Sequence, residues 1–323
     1  MFVEHRGRVM ASELHVVVSS PDAESGSRVT ARIVELLDHL ERCWSRFLPE
    51  SDVTRLNLAA GRTLAVDPTT VTLLLAMVEA WRATDGRFDP TTLPDLVAAG
   101  YRSSIDDSRR VTLLPSGDLR IGGLEQDQPP TLDGVHIDRE RNEIRLPAGI
   151  AIDAGGIGKG LAADLAVIDA LDAGAEGALV GIGGDLSMGG HPPTGGWAVE
   201  IEHPDLDGTV IGTTAVSGGG VATSSTRSRR WRHRGHERHH VIDPWTGEPS
   251  TTDLASVTVV ARAGWLAEAH ATEGILSGSD HVVDLLERRG LSGVAVTDDA
   301  RVLTTDDLAG LLRAPAAALG GVS

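Results

Sequence analysis

Cysteine occurs once in the 323 residues, as Cys43, and lysine once, as Lys159. A single cysteine permits no internal disulfide and has no second thiol at metal-site spacing, which fits a reducing compartment and a core-filling role for Cys43. No apolar run reaches the roughly 18 residues that a membrane span requires. The opening Met1-Phe2-Val3-Glu4-His5-Arg6 also lacks the apolar core of a signal peptide. The expectation is a cytoplasmic protein with no membrane partner. Positive charge is scarce as well: 29 Lys and Arg stand against 46 Asp and Glu, a formal net charge of −17, which argues against wholesale nucleic-acid binding. One basic stretch, Arg227 to His240, reads as an exposed hairpin beside acidic surface. No internal repeat and no linker divide the chain. With 41% hydrophobic residues, one domain over residues 1–314 with a large core is expected, followed by a disordered tail over 315–323.

What the chain does have is glycine at one place in particular. Ile152-Asp153-Ala154-Gly155-Gly156-Ile157-Gly158-Lys159-Gly160 follows the apolar run Ile150 to Ile152, which reads as a strand. It leads into a segment with helical spacing at Leu161, Leu165, Ile168 and Leu171. A glycine-rich strand-to-helix turn lets backbone N–H groups and a helix N-terminus approach an anion, and a phosphate is the natural guest. Two familiar phosphate motifs fail. A P-loop would need glycine at Asp153 and Ser or Thr at Gly160, and the glycine spacing does not match a dinucleotide fingerprint. Lys159, alone among arginines, supplies a compact ammonium charge. The bland alternative is a tight connection whose glycines serve packing.

Elsewhere the pattern is that of an α/β chain. A β-rich run covers Leu14 to Val18. A helix follows with apolar residues at Val29, Ile33, Leu36, Leu37, Leu40, Cys43, Trp44 and Phe47, stopped by Pro49. A second helix starts near Pro68 and ends before Gly86. Short strands alternate with turns between Ser103 and Leu146, and Gly122 to Gly134 is a polar loop. Ala178 to Ile182 reads as a buried strand entering a second glycine turn. Strands are expected at Trp197 to Ile201, Val210 to Val216, Ser256 to Ala261 and Val294 to Thr297, and helices at Trp265 to Leu276 and His281 to Arg289. The basic stretch reads as a hairpin turning at Arg234-Gly235.

Taken together, these motifs resemble the ApbE family of flavin transferases. The likeness is carried by Met10-Ala11-Ser12, Ser45-Arg46-Phe47 with Ser51, and Phe88-Asp89-Pro90-Thr91. It continues through Ile152-Asp153 with Gly156 and Lys159-Gly160, then Gly183-Gly184-Asp185, Thr223-Ser224, His240-Val241-Ile242-Asp243-Pro244 with Thr246-Gly247, and Ala267 through Thr272. The resemblance implies an ApbE-like α/β fold, with a mixed, largely antiparallel sheet flanked by helices. It implies an activity too: Mg²⁺-dependent transfer of FMN from FAD to a Thr or Ser hydroxyl of a target protein, releasing AMP. It implies FAD contacts from Met10, Phe47, Phe88, Asp89, Asp153, Lys159 and Ile242. It also implies metal ligation by the Gly156 carbonyl, Glu268 and Thr272, and catalytic roles for His240 and Lys159.

The chemistry agrees. Glu268 and Thr272 are four apart on a helix, hence on one face, and both offer the hard oxygens that Mg²⁺ prefers. A neutral His240 can take a hydroxyl proton near pH 7. Adjacent strand residues face opposite ways, so His239 is excluded from the site that His240 enters. The chain departs from the family pattern in having Glu268 for an aspartate, Thr223-Ser224-Ser225 for Thr-Ser-Gly, and Leu93-Pro94 for a glycine-proline pair. The longer Glu268 predicts weaker Mg²⁺ binding and tolerance of Ca²⁺ or Mn²⁺. Two rival readings follow: an FAD pyrophosphatase, in which water replaces the acceptor, and a non-catalytic FAD-binding protein.

Overall fold

The computed structural model describes residues 1–59, 61–116, 119, 121–122 and 131–313. The expected disordered tail, and much of the Gly122 to Gly134 loop, lie outside the described residues. Eight strands form the central sheet in chain order: Phe2–Val9, Ser12–Ser19, Gly177–Ile182, Asp185–Gly190, Gly219–Ser225, Leu254–Ala261, Ser292–Thr297 and Val302–Thr304. Each neighbouring pair is antiparallel. The α/β fold with a largely antiparallel sheet flanked by helices is therefore the fold observed.

The period-two alternation of strands divides the side chains between two cores. Val16, Val18, Ala178, Val180 and Ile182 join the core beneath the helices. Leu179, Met188 and Val221 turn the other way and meet Trp197, Val199 and Val216 of a separate hairpin, Trp197–Glu202 with Val210–Val216. The helices are α1 (Ala23–Trp44), α2 (Asp52–Leu58), α3 (Pro68–Ala83), α4 (Leu93–Ala98), α5 (Gly158–Asp172), α6 (Gly264–Ser277) and α7 (Val282–Arg288), of which α1, α2, α3 and α5 share the core with the sheet. Asp22, Ser51 and Asp67 cap α1, α2 and α3 by accepting backbone N–H bonds from Ser25, Thr54 and Thr69, the usual way to satisfy the orphan donors of a first turn. Among the described residues, no helix is long and apolar enough to cross a membrane.

Several expectations are corrected. Ile150 to Ile152 is buried but forms no strand. Its backbone is held by a side chain instead: Ile152 N–H donates to Asn57 Oδ1 at 2.8 Å, and Asn57 Nδ2 donates to the Ile152 carbonyl at 2.9 Å. A buried amide thus replaces a partner strand in satisfying the main chain. Helix α1 stops at Trp44, five residues before Pro49, so Phe47 lies in the turn beyond it. Helix α5 buries Leu161 and Val167 together with a face of small residues, Gly158, Gly160, Ala162, Ala163, Ala166 and Ala170, while Ile168 of the apolar stripe is exposed. The edge strand Phe2–Val9, unforeseen in the sequence, returns through Met10 and Ala11, both at positive φ (52° and 57°). That is the pair of left-handed residues a tight hairpin requires, at a cost of about 1–3 kcal/mol each for residues other than glycine.

The small-residue face of α5 exists because α6 and the sheet come very close. A Cβ on Gly160 would lie 2.5 Å from the Gly264 carbonyl carbon, and one on Gly220 would lie 2.3 Å from Gly264 Cα. Asp164 of α5 completes the junction by accepting the Gly264 and Trp265 N–H bonds at 2.8 and 3.0 Å. It thereby caps α6, whose own N-cap residue, Ala263, has no side chain able to do so. Backbone faces backbone here, so an added methyl has nowhere to go. Gly160→Ala should therefore destabilise the protein by about 2–3 kcal/mol, measured by urea unfolding. Gly218→Ala, whose Cβ would approach nothing closer than the Met188 carbonyl at 3.5 Å, should change stability by less than about 0.5 kcal/mol.

Candidate active site

The N-terminus of α5 is where the candidate residues gather. No side chain from its own N-cap, Ile157, satisfies it. Glu268, reaching across from α6, accepts the Gly160 N–H at 2.8 Å through Oε2. A carboxylate at the positive end of a helix is favourably placed. The other Glu268 oxygen lies 3.4 Å from Lys159 Nζ, and the same ammonium is paired with Asp185. Asp185 follows the turn Gly183-Gly184, whose φ values of 60° and 92° only glycine adopts easily. Its second oxygen accepts the Thr223 N–H at 3.2 Å. The side chains of Asp185 and Glu268 are 2% and 6% exposed and that of Lys159 is 18% exposed. Burial accordingly pushes the Glu268 carboxyl up and the Lys159 ammonium down, with each partner's charge opposing the shift.

Around this charged centre stand hydroxyls and an imidazole. Ser224 and Thr272 share a hydrogen bond at 3.1 Å, and Thr272 donates to the Glu268 carbonyl one helical turn back at 3.2 Å. A Cβ on Gly156 would lie 4.0 Å from Thr272 Oγ1, so the glycine turn runs beside Thr272 of α6. Thr272 offers a hydroxyl and Glu268 a carboxylate, the kind of oxygen that suits a hard cation such as Mg²⁺. His270 is on another face, buried and bonded to Glu273 at 2.7 Å.

His240 sits just past the hairpin Arg230–His233/His236–His239, which turns at Arg234-Gly235 as the sequence suggested. It is close enough to Lys159 and Arg229 to feel both charges. Burial, aided by Arg229, lowers its pKa to about 3, so the ring is neutral, and Nδ1 is buried with no hydrogen-bond partner. His239 is occupied elsewhere, with Nε2 3.0 Å from the Ser250 carbonyl. Arg227, Arg230 and Arg238 of the basic stretch are paired with Asp205 and Asp298, Glu237 and Glu248.

The remaining candidates form a second group. Asp153 pairs with Arg46 at 3.2 Å, an arginine only 4% exposed whose guanidinium lies over Phe47 and Tyr101 at 4.2 and 4.9 Å. Tyr101 stacks on Trp231 at 5.2 Å. Phe88 is core: it is buried beneath the glycine turn, its ring 3.0 Å from where a Gly156 Cβ would be. Asp89 accepts the Thr91 N–H and hydroxyl at 2.8 and 2.6 Å. Ile242 is buried in a two-residue strand beside Pro249, and Met10 N–H donates to Glu41 at 2.8 Å.

Sequence reading had not selected Asp185, Arg46 or Arg229 as site residues. Asp185 and Arg46 lie inside motifs that were recognised. Arg229 was hidden in the basic stretch, and its inward role has no local signal.

Comparison with known proteins bears on this arrangement. The ApbE family profile matches residues 10–296. The FAD:protein FMN transferase of Salmonella typhimurium is 27% identical over 298 residues, covering 88% of this chain and 81% of that protein. Among solved structures, the ApbE protein of Thermotoga maritima superposes with a TM-score of 0.81 at 27% identity, covering 97% of this chain and all of the other. The flavinyl transferase ApbE of Pseudomonas stutzeri gives 0.76 at 24% identity, covering 96% of each chain, and shows the same fold.

The buried neutral His240 has a consequence for stability. Its folded pKa, about 3, lies below the ordinary histidine value of about 6.5, so between these values the unfolded chain binds the extra proton. Stability should fall as pH drops below about 6.5, with His240 contributing up to about 1.4 kcal/mol per pH unit. Urea titrations at pH 7.5, 6 and 5 should show this slope lessened in His240→Gln; equal slopes in the two proteins would contradict it.

Proposed function

This chain belongs to the ApbE family, and from that premise we propose that it is an FAD:protein FMN transferase that is Mg²⁺-dependent and uses a Thr or Ser hydroxyl of a target protein as acceptor. The observation that carries the reading is the junction of Lys159, Asp185, Glu268 and the α5 N-terminus, with a neutral imidazole beside it.

In this reading Lys159 and the first amides of α5 take the pyrophosphate of FAD, exchanging some of the contacts they now make with Glu268 and Asp185. Glu268, Thr272 and the Gly156 carbonyl would hold the divalent cation. When bound, that cation neutralises charge on the phosphates and orients them. His240 accepts the proton of the incoming hydroxyl on its unpartnered Nδ1. The hydroxyl oxygen bonds to the phosphorus of the FMN half, the pyrophosphate P–O bond breaks, and AMP leaves with the electron pair and is then protonated. Burial, aided by the Arg229 charge, keeps the imidazole deprotonated, and Arg229 adds positive potential where the phosphates must sit. Arg46 holds Asp153 in place at the entrance to the glycine turn.

The test is to incubate the protein with FAD and Mg²⁺, with and without a Thr-bearing acceptor, and to follow AMP, free FMN and acceptor mass. An acceptor gaining the mass of FMN as AMP appears supports transfer. FMN and AMP without a modified acceptor indicate a pyrophosphatase, and FAD binding with no AMP indicates a non-catalytic flavin protein. Glu268→Ala should abolish metal-dependent AMP release while Glu268→Asp retains it. His240→Ala should slow transfer about 10²-fold or more with FAD binding nearly intact, and His239→Ala should do little. The acid limb of kcat/KM should lie well below pH 6.5, because the free enzyme's imidazole is already neutral there.

A further inference from the structure

A cluster that the flavin chemistry does not use lies where α1 meets the start of α3. His39 and Cys43 are one turn apart on α1, and Asp67 is the N-cap of α3. Asp67 Oδ1 is taken up by Thr69, accepting its N–H at 2.8 Å and its hydroxyl at 2.6 Å. Oδ2 faces His39 Nε2 at 3.0 Å. Cys43 Sγ approaches that same nitrogen at 3.7 Å, and the three donor atoms lie within 4.8 Å of one another.

The convergence on one ring nitrogen is informative. A Cys-His-Asp relay for nucleophilic catalysis uses both imidazole nitrogens, one toward the thiol and the other toward the carboxylate. Here thiol and carboxylate meet the same one, as ligands do around a point. The spacing fits as well. Zinc bonds of ~2.3 Å to sulfur and ~2.0 Å to nitrogen and oxygen, placed tetrahedrally, put S and N about 3.6 Å apart and N and O about 3.3 Å apart. The distances seen, 3.7 and 3.0 Å, need only slight adjustment. We propose that His39, Cys43 and Asp67 form a tetrahedral Zn²⁺ site with water in the fourth position.

Thiolate and imidazole together favour Zn²⁺ over Mg²⁺, so this site is chemically orthogonal to the all-oxygen set of Glu268, Thr272 and Gly156. The cluster is partly open, with His39 39% and Asp67 26% exposed at the side chain, which leaves room for the water. Burial, with Asp67 and Asp52 nearby, pushes the Cys43 thiol up to about 11. Ligation requires loss of the thiol proton, so binding tightens as pH rises. Structurally the ion would tie the last turn of α1 to the first turn of α3, just ahead of Ser45-Arg46-Phe47.

Co²⁺ is the probe, because a thiolate bound to it gives a near-ultraviolet charge-transfer band and tetrahedral coordination gives intense visible bands. Titration of the reduced, full-length protein should show one equivalent of Co²⁺ with both features, displaced by Zn²⁺. Cys43→Ala should lose the charge-transfer band. His39→Ala and Asp67→Asn, the latter keeping a good helix cap, should each weaken Co²⁺ binding roughly 10-fold or more. Zn²⁺ should raise the melting temperature of the parent protein and not that of Cys43→Ala. The proposal is overturned if no charge-transfer band appears at stoichiometric Co²⁺. It is equally overturned if the band persists with unchanged affinity in His39→Ala and Asp67→Asn, which would mean a bare thiol binding cobalt.

Discussion

Backbone contact between α5 and α6 at Gly160 and Gly264 is the constraint from which the site's geometry follows. Because no side chain separates the helices, the Glu268 carboxylate of one reaches the first-turn amide of the other, and Asp164 returns the favour at the opposite helix start. Each helix N-terminus is thus capped by a carboxylate from its neighbour. Two positive helix ends are brought to one place with their anionic partners already attached. Gly220 extends the contact into the sheet, so that α6 and the strand carrying Thr223 and Ser224 are held in one register.

A buried ammonium between two buried carboxylates is costly to assemble unless every charge is answered, because removal from water penalises each ion by several kcal/mol. The answer here is distributed: Lys159 serves both acids, Gly160 N–H takes one remaining oxygen and Thr223 N–H another. An incoming pyrophosphate therefore meets a cation that is already oriented, and it must compete with internal anions for it. That competition favours a ligand with more charge than a single carboxylate. Arg229, near His240, Lys159 and Glu268, makes the local field more positive than those residues alone would.

Much of this was legible in the sequence wherever the controlling interaction is short in range. The glycine turns, the Glu268–Thr272 spacing and the Arg234-Gly235 hairpin follow from local turn chemistry and helical periodicity. What was not legible depends on partners distant in the chain. Ile150 to Ile152 has the composition of a strand, but Asn57, some ninety residues earlier, supplies its hydrogen bonds. Helix α5 shows a leucine-isoleucine stripe, yet the contact with Gly264 rewards its smallest residues, and Ile168 is left in solvent. The strand Phe2–Val9 carries a charged or polar side chain at most exposed positions, as an edge does, and so offers little apolar signal. Arg46 and Arg229 are two arginines among many, and only three dimensions distinguish them.

The order of strands in the sheet sets how the chain must be assembled. Its seven neighbouring pairs follow the order in which the sheet's own strands occur in the chain. The connections differ greatly in length: Phe2–Val9 and Ser12–Ser19 meet across two residues, but Ser12–Ser19 and Gly177–Ile182 pair only after the excursion 20–176. Were that excursion a flexible loop, closing it would cost roughly 4–5 kcal/mol in chain entropy. It is instead folded into α1, α3 and α5, whose shared core shortens the effective distance to be closed. The segment that supplies the glycine turn and Lys159 is consequently also the bridge across which the two parts of the sheet find each other, so that binding surface and folding route draw on the same packed helices.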